Sequence, residues 1–217
     1  MDSKITKYWK KYYKNNYLRD KKLFLPSAFA KFVIPKIKKI KIVIDLGCGN
    51  GKDSNYFFKK NKIVWGLDLS NNVITKNKLF YKKQKKMKFI LCDVTKKIPS
   101  IILKQKKPKC YYSRFFLHAI KNSNLKRFIK TISKSMGIND ILFVEYRTIE
   151  DRNRKKINDN HFRNYLNENK VNRILYDNNL SNTFFNKGIG LAKFKNEDPF
   201  VARHIITKKN LNGQKKY

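Results

Sequence analysis

Acidic residues are scarce in this chain of 217 residues. It contains 15 Asp and Glu against 52 Lys and Arg, which gives a formal net charge of +37 at pH 7. So strong a positive field attracts phosphates, whether they belong to nucleic acids, small anions or anionic membranes. Two explanations stay open, a functional charge and a lysine-rich codon bias. The charge predicts nonspecific binding to nucleic acid at low salt.

Cysteines are few and long hydrophobic runs are lacking. The three cysteines, Cys48, Cys92 and Cys110, are far apart and form no CxxC pair, which predicts neither a disulfide framework nor a structural zinc. The apolar stretch 23–35 is broken by two prolines and Lys31, so neither a signal peptide nor a membrane-spanning helix is expected. These features predict a cytoplasmic protein without a metal ion, and they leave its oligomeric state undetermined.

Segments rich in branched aliphatic residues alternate with amphipathic segments, a pattern typical of parallel strands joined by helices. Hydrophobic residues make up 41% of the chain, enough to form the core of one domain. The predicted strands are residues 40–46, 63–68, 88–94, 109–115, 141–147, 173–177 and 202–208. The predicted helices are residues 52–60, 72–82, 117–135 and 160–169.

The predicted strands occupy one domain, residues 39–209. Residues 1–38 precede it and form a helical lid in our prediction, with an aromatic cluster that includes Tyr8, Trp9 and Tyr12. Ser27 stands before an apolar run and predicts a helix N-cap. Residues 148–170 are charged and predict a helical insertion or a mobile arm, and residues 210–217 form a polar tail.

The first predicted strand ends in three glycines at alternate positions, Gly47, Gly49 and Gly51, preceded by Asp45. Glycine permits a sharp turn with positive φ and lets the backbone approach a ligand closely. A turn at the carboxyl end of a central strand is where open α/β sheets bind ligands. The spacing G-x-G-x-G differs from the G-x-G-x-x-G of dinucleotide oxidoreductases.

Acidic residues also end the next two predicted strands. Asp68 lies 21 positions beyond Gly47, a distance at which a strand-end acid accepts hydrogen bonds from a ribose diol. The third strand ends in Asp93 and Val94. Asp93 is either a ligand-binding acid or a plain helix N-cap.

The pattern at residues 45–51, 68–69 and 93–94 resembles the motifs of class I S-adenosylmethionine-dependent methyltransferases. This resemblance implies a Rossmann-like α/β fold, with a mostly parallel seven-stranded sheet, helices on both faces and an antiparallel last strand. It implies S-adenosylmethionine as the cofactor, with Asp45 and the glycine loop at its amino-acid end, Asp68 at the ribose and Asp93 at the adenine amino group. The other candidate cofactor-binding residues are Asn50, Leu69, Val94 and Ser113.

The end of the fourth strand, residues 111–120, meets the transferred methyl group in that family. It lacks the N/D-P-P-Y/F sequence, which argues against methylation of exocyclic amines on DNA bases. His118 is a candidate general base because imidazole titrates near neutrality, although a histidine here could also cap or support a helix. Arg114 is a candidate for positioning an anionic acceptor. The other candidates for acceptor binding are Arg147, His161, Arg163, Tyr8, Trp9 and Tyr12.

A narrower resemblance is to small bacterial methyltransferases linked to surface-polysaccharide biosynthesis. It is carried by residues 8–9 with 12–13, 26–30, 113–118, 144–148 and 188–192 with 197–199. It implies a small polar acceptor, such as a sugar or a sugar-linked phosphate. The alternatives are an RNA methyltransferase and a non-catalytic nucleic-acid-binding module on the same fold, because aromatic residues are interleaved with lysines at 8–17 and 80–83.

Overall fold

A computed structural model of the chain describes residues 3–16, 25–154, 156 and 161–209. The predicted tail, residues 210–217, lies outside the described residues, as does Tyr17 of the aromatic segment. In the described part, seven strands form one sheet: β1 (Ile42–Leu46), β2 (Ile63–Asp68), β3 (Met87–Leu91), β4 (Lys109–Arg114), β5 (Ile141–Arg147), β6 (Leu180–Gly188) and β7 (Val201–Lys208). The α-helices are α1 (Ser3–Asn16), α2 (Ala28–Val33), α3 (Lys52–Lys59), α4 (Asn71–Phe80), α5 (Ser100–Leu103), α6 (Asn122–Ser135) and α7 (Glu168–Tyr176).

The strand order in the sheet is β3-β2-β1-β4-β5-β7-β6. Strands β1 to β5 pair in parallel, whereas β7 pairs antiparallel with both β5 and β6. The order reverses at β1, which lies between β2 and β4, and a crevice opens at the carboxyl ends of the strands at such a switch point. The predicted Rossmann-like sheet with an antiparallel last strand is confirmed.

Helices cover both faces of the sheet, and alternate residues of β1 enter two separate cores. Ile44 and Leu46 pack in the cluster that contains Phe128 of α6, while Val43 packs on the other face with Phe57 of α3. All five residues of β1 are buried, as expected for a central strand that is covered on both sides. Because β1 is packed on both sides, its carboxyl end, where the glycine turn begins, is held in place.

The N-cap predicted at Ser27 is confirmed. Its hydroxyl oxygen accepts a hydrogen bond from the backbone N–H of Ala30, 3.0 Å away, at the start of α2. Among the helices of the described residues, none is both long enough and apolar enough to span a bilayer.

The predicted strand at residues 173–177 is wrong, because these residues end helix α7 or follow it directly. Val171, Ile174 and Leu175 are buried at helical spacing, and Asn167 caps the helix through its side chain. The actual sixth strand is β6, which begins at Leu180. Most of β6 is exposed or half-buried at the sheet edge, so its sequence carries little apolar alternation.

The predicted helix at 160–169 is also wrong. The described residues 161–167 contain no helix and only a single bridge, between Thr148 and Leu166, and α7 begins at Glu168. The predicted helix 117–135 is divided into a 3₁₀ turn, Leu117–Ala119, and α6. The turn directs the chain across the end of β4 before α6 packs against the sheet.

Candidate active site

A cavity of about 300 Å³ opens at the carboxyl ends of β1 to β4, next to the switch point. Every candidate site residue from the sequence lines this cavity except Gly51 and Ser113. Ser113 is fully buried beneath it. Among the described residues, no group of three or more histidine, cysteine or acidic side chains is arranged to bind a metal ion.

The glycine turn forms one wall of the cavity, and two of its glycines have different roles. Gly47 has φ +74°, and a Cβ there would lie 2.7 Å from the Phe116 ring, so only glycine fits. Gly51 has φ +73° and precedes α3, where a Cβ would meet the rings of Phe89 and Tyr81 at 3.0 Å. Gly51 is therefore required for backbone conformation and packing, not for lining the cavity.

Asp68 holds the glycine turn against the end of β2. Its carboxylate accepts hydrogen bonds from the backbone N–H groups of Gly49, at 3.1 Å, and Ser70, at 2.9 Å. Burial raises the pKa of Asp68, while these N–H groups oppose the increase. Each carboxylate oxygen has a second lone pair, so Asp68 can accept further hydrogen bonds from a ligand in the cavity.

Asp45 is almost completely buried, at 3% exposure, where β1 approaches the cavity. The Ser54 hydroxyl donates a hydrogen bond of 2.6 Å to its carboxylate. Burial raises the pKa of Asp45 to about 8, and the nearby charges of Asp53 and Asp68 add to the increase. Asp45 is therefore largely protonated at neutral pH, and a cation entering the cavity would favour its ionised form.

Asp93 follows β3 and caps a turn. Its Oδ1 accepts hydrogen bonds from the backbone N–H of Thr95, at 3.0 Å, and from the Thr95 hydroxyl, at 2.6 Å. The next helix, α5, begins only at Ser100, so the alternative of a helix N-cap is wrong. Asp93, Asp68 and Asp45 thus lie along the edge of three adjacent strands and face one cavity.

Arg114 belongs to a buried ion-pair network that the sequence did not predict. Glu145 is fully buried and accepts hydrogen bonds from Arg114 Nε, at 3.0 Å, and Arg203 Nε, at 2.7 Å. The three residues lie side by side across β4, β5 and β7. The Arg114 guanidinium also lies 4.1 Å from the ring centroid of Phe115, a residue with φ +57°. This network fixes the arginine at the rim of the cavity.

Arg147 lines the cavity, but two carboxylates offset its charge. Its Nη1 lies 2.7 Å from Asp151, and its Nη2 lies 2.5 Å from Glu197. Asp151 also accepts a hydrogen bond from the Phe200 backbone N–H at 2.8 Å. Arg147 thereby ties the end of β5 to the segment that leads into β7.

His118 is buried beside the cavity, with a defined tautomer. Its Nδ1 accepts a hydrogen bond from the Arg147 backbone N–H at 3.1 Å. Burial lowers the pKa of His118 well below its ordinary value, and the positive charges of Arg147 and its neighbours lower it further. A neutral imidazole that accepts at Nδ1 carries its proton on Nε2. No other described residue has a hydrogen bond to Nε2, so this N–H is free to donate.

Aromatic side chains of α1 form the outer wall of the cavity. Tyr8 stacks on His161 with ring centroids 4.7 Å apart, and Trp9 meets the same ring edge-on at 5.2 Å. Tyr12 stacks on Tyr8 at 6.2 Å. The structure thus brings together the predicted aromatic cluster and His161, which is distant in sequence. Arg163, two positions further along the chain, also lines the cavity.

Asp53 is a cavity residue that the sequence analysis missed. It accepts hydrogen bonds from the Ser27 backbone N–H at 2.8 Å, the Ser27 hydroxyl at 2.7 Å and the Tyr112 hydroxyl at 2.7 Å. These bonds join the starts of α2 and α3 to β4. A serine cap and an acid in the first turn of the next helix were visible in the sequence, but their pairing was not.

Lys52 also lines the cavity and was missed, because one lysine among so many gives no signal. Its Nζ lies 5.6 Å from the centroid of the Phe194 ring. Burial lowers the pKa of Lys52, and the charge of Arg114 lowers it further. Among the described residues, no carboxylate forms a salt bridge with Lys52.

Residues 37–189 match the family model described as a methyltransferase domain. No curated protein matches the sequence significantly. Several solved structures share the fold. An S-adenosylmethionine-dependent methyltransferase from Clostridium acetobutylicum has a TM-score of 0.67 and 13% identity, over 94% of this chain and 98% of that one. Another, from Anabaena variabilis, has a TM-score of 0.69 and 12% identity, over 96% of both chains.

A third similar structure is the 1,6-didemethyltoxoflavin-N1-methyltransferase of Burkholderia thailandensis, with 1,6-didemethyltoxoflavin and S-adenosylhomocysteine bound. Its TM-score is 0.71 and its identity 10%, over 95% of this chain and 88% of that one. At such low identity these structures support the fold, whereas the family match covers more than two thirds of the chain. The chain belongs to the methyltransferase domain family, and its cofactor is S-adenosylmethionine.

Proposed function

We propose that the protein methylates a small polar acceptor that carries an anionic group, such as a sugar-linked phosphate or carboxylate. The main support is the pair of cations at the cavity, Lys52 and Arg114. Lys52 forms no described salt bridge, and Arg114 uses only its Nε in the bond to Glu145. A guanidinium fork and an ammonium together suit a carboxylate or a phosphate.

The glycine turn and the strand-end acids that line the cavity fit S-adenosylmethionine. Asp45 would face its ammonium group, Asp68 its ribose hydroxyls and Asp93 its adenine amino group. Gly47 lines the cavity, and a Cβ at this position would collide with Phe116. When bound, the cofactor supplies a methyl group already activated on a sulfonium, so the protein has to orient the acceptor and exclude water.

His118 acts as a hydrogen-bond donor to the acceptor in this proposal, and no longer as the general base expected from the sequence. A base needs a free lone pair toward the acceptor, but the Nδ1 lone pair is engaged by the Arg147 backbone N–H. The low pKa of His118 also makes it a poor proton acceptor at neutral pH. Its Nε2–H would instead hold an acceptor oxygen in position.

The experiment that tests this proposal uses labelled S-adenosylmethionine and a cell extract. The extract is separated into nucleic acids, neutral small molecules and anionic small molecules, and each fraction is incubated with the enzyme. We expect label in the anionic small-molecule fraction. Label confined to RNA or to neutral molecules would contradict the proposal.

A pair of variants tests the role of Lys52 once an acceptor is known. Lys52→Gln should raise the KM for the acceptor about 10-fold or more and leave the affinity for S-adenosylmethionine unchanged, because it removes one charge-assisted contact. Lys126→Gln is the matched control, since Lys126 is an exposed lysine of α6 and does not line the cavity. Equal KM values for the two variants would show that Lys52 does not bind the acceptor.

A further inference from the structure

The edge of the sheet opposite the cavity carries a continuous lysine-rich surface. It consists of the segments before the amino ends of β1 to β5, residues 36–41, 59–62, 79–88, 101–109 and 134–140, which we call the basal face. The parallel register places these segments side by side. The Ile63 N–H, for example, donates to the Lys41 carbonyl at 2.8 Å, and the Val64 N–H to the Lys86 carbonyl at 2.9 Å.

Positive charge on the basal face is not offset by acids. The first four segments each present at least two exposed lysines, among them Lys39, Lys60, Lys83 and Lys107. Asp140, the one acid in the five segments, is 2% exposed and lies 3.2 Å from the ammonium of Lys109. A basic groove also lies between residues 59–62 and 83–86. A surface of this kind attracts polyanions.

Apolar side chains project from the same face. Leu79 is 67% exposed, Leu103 46% and Ile138 52%, although each has an aliphatic side chain that would normally be buried. The five segments contain no arginine. Exposed aliphatic groups among lysines are suited to the headgroup region of an anionic bilayer, where the lysines meet lipid phosphates and the apolar groups enter the acyl boundary.

We propose that the basal face binds anionic lipid membranes peripherally, with Leu79 and Leu103 inserted between the headgroups. RNA fits this face less well, because base stacking requires aromatic rings and Phe80 is the one exposed aromatic residue of the five segments, whereas their other exposed apolar side chains are aliphatic. The face also lies about 16 Å from the cavity, the length of a five-residue strand such as β1. A membrane-bound enzyme would therefore keep its cavity open to soluble acceptors.

Vesicle co-sedimentation at about 0.15 M salt tests the proposal. We expect binding to phosphatidylcholine vesicles that contain about 30% phosphatidylglycerol and none to pure phosphatidylcholine. The triple variant Lys39→Glu, Lys83→Glu, Lys107→Glu should weaken binding at least about 100-fold, because each lysine near an anionic surface contributes about a factor of five. The matched control reverses three exposed lysines elsewhere, Lys7, Lys126 and Lys170, and should bind nearly as well as the wild type.

Leu79→Ser with Leu103→Ser tests insertion, and should weaken vesicle binding about 10-fold or more. Circular dichroism and S-adenosylmethionine affinity establish that each variant is folded. The proposal is overturned if the basal and control charge variants bind vesicles equally, or if the serine variant binds as tightly as the wild type. It is also overturned if, at the same salt, the protein binds a single-stranded RNA of about 20 nucleotides but not the vesicles.

Discussion

Replacing Asp45 with asparagine is expected to stabilise the protein without ligand and to weaken its affinity for S-adenosylmethionine. Burial raises the pKa of Asp45 from 3.8 to about 8, so folding above pH 4 or so must either bind a proton or bury a charge. Asparagine has the same shape, can still accept the hydrogen bond from Ser54 and does not ionise. The variant therefore removes a cost that the wild type carries at neutral pH.

The size of this cost follows from the two pKa values. Because the folded-state pKa is the higher one, the penalty is absent below about pH 4, grows with pH and is complete above about pH 8. Its slope is about 1.4 kcal/mol per pH unit, so at pH 7 it is on the order of 4 kcal/mol. The difference in unfolding free energy between Asp45→Asn and wild type should widen by about 3 kcal/mol from pH 5 to pH 7.

Urea unfolding at several pH values, followed by tryptophan fluorescence, measures this difference. Asp177→Asn is the matched control, since the Asp177 side chain is 55% exposed. Cofactor binding gives a second readout. At pH 7 the wild type should release close to one proton, measured by calorimetry in buffers of different ionisation enthalpy, and the variant none. A stability difference that does not change with pH would refute the reasoning about Asp45.

Three further outcomes are expected. Because His118 stays neutral, the pH profile of kcat should be the same near pH 6.5 in the wild type and in His118→Asn. An ionisation near pH 6.5 that is present in the wild type and absent from the variant would restore the general-base role. Glu145→Gln leaves Arg114 and Arg203 without their shared carboxylate and should lower the unfolding free energy by about 3–5 kcal/mol, measured by urea titration. Gly47→Ala should lower S-adenosylmethionine affinity about 10-fold or more in calorimetry, since its φ is +74°; wild-type affinity would show that the turn tolerates a Cβ.

The position of the glycine turn and the strand-end acids at one cavity was largely predictable, because local sequence determines it. A buried strand, alternate glycines and an acid occur together in residues 45–51, and Asp68 and Asp93 each follow a strand directly. Residues that end adjacent parallel strands meet at one edge whatever the rest of the chain does. The glycine spacing distinguished this turn from the G-x-G-x-x-G turn of dinucleotide oxidoreductases. The helix cap at Ser27 was predictable because a cap depends only on the next few residues.

The contacts of Arg114, His118 and Asp53 were less predictable because they join segments that are distant in the sequence. Arg114, Glu145 and Arg203 meet only through the register of three strands, which sequence periodicity does not specify. The tautomer of His118 depends on the hydrogen bond from the Arg147 backbone N–H. The position of the Asp53 carboxylate depends on the hydrogen bond from the Tyr112 hydroxyl. The strand predicted at residues 173–177 was wrong because a short apolar run suits either a strand or a helix. The side chain of Asn167 caps a helix at this point, so these residues end α7.

The two sides of the cavity also have different origins along the chain. The acids and glycines at the strand ends lie within residues 45–94, inside the family match, whereas α1 and the residues 192–199 that complete the outer wall lie outside residues 37–189. Substitutions in those outer segments can change the outer wall of the cavity without disturbing the acids at the strand ends. The outer wall can thus change its shape and chemistry independently of the strand ends, whereas Lys52, Arg114 and His118 lie within residues 37–189 beside the glycine turn and the end of β4.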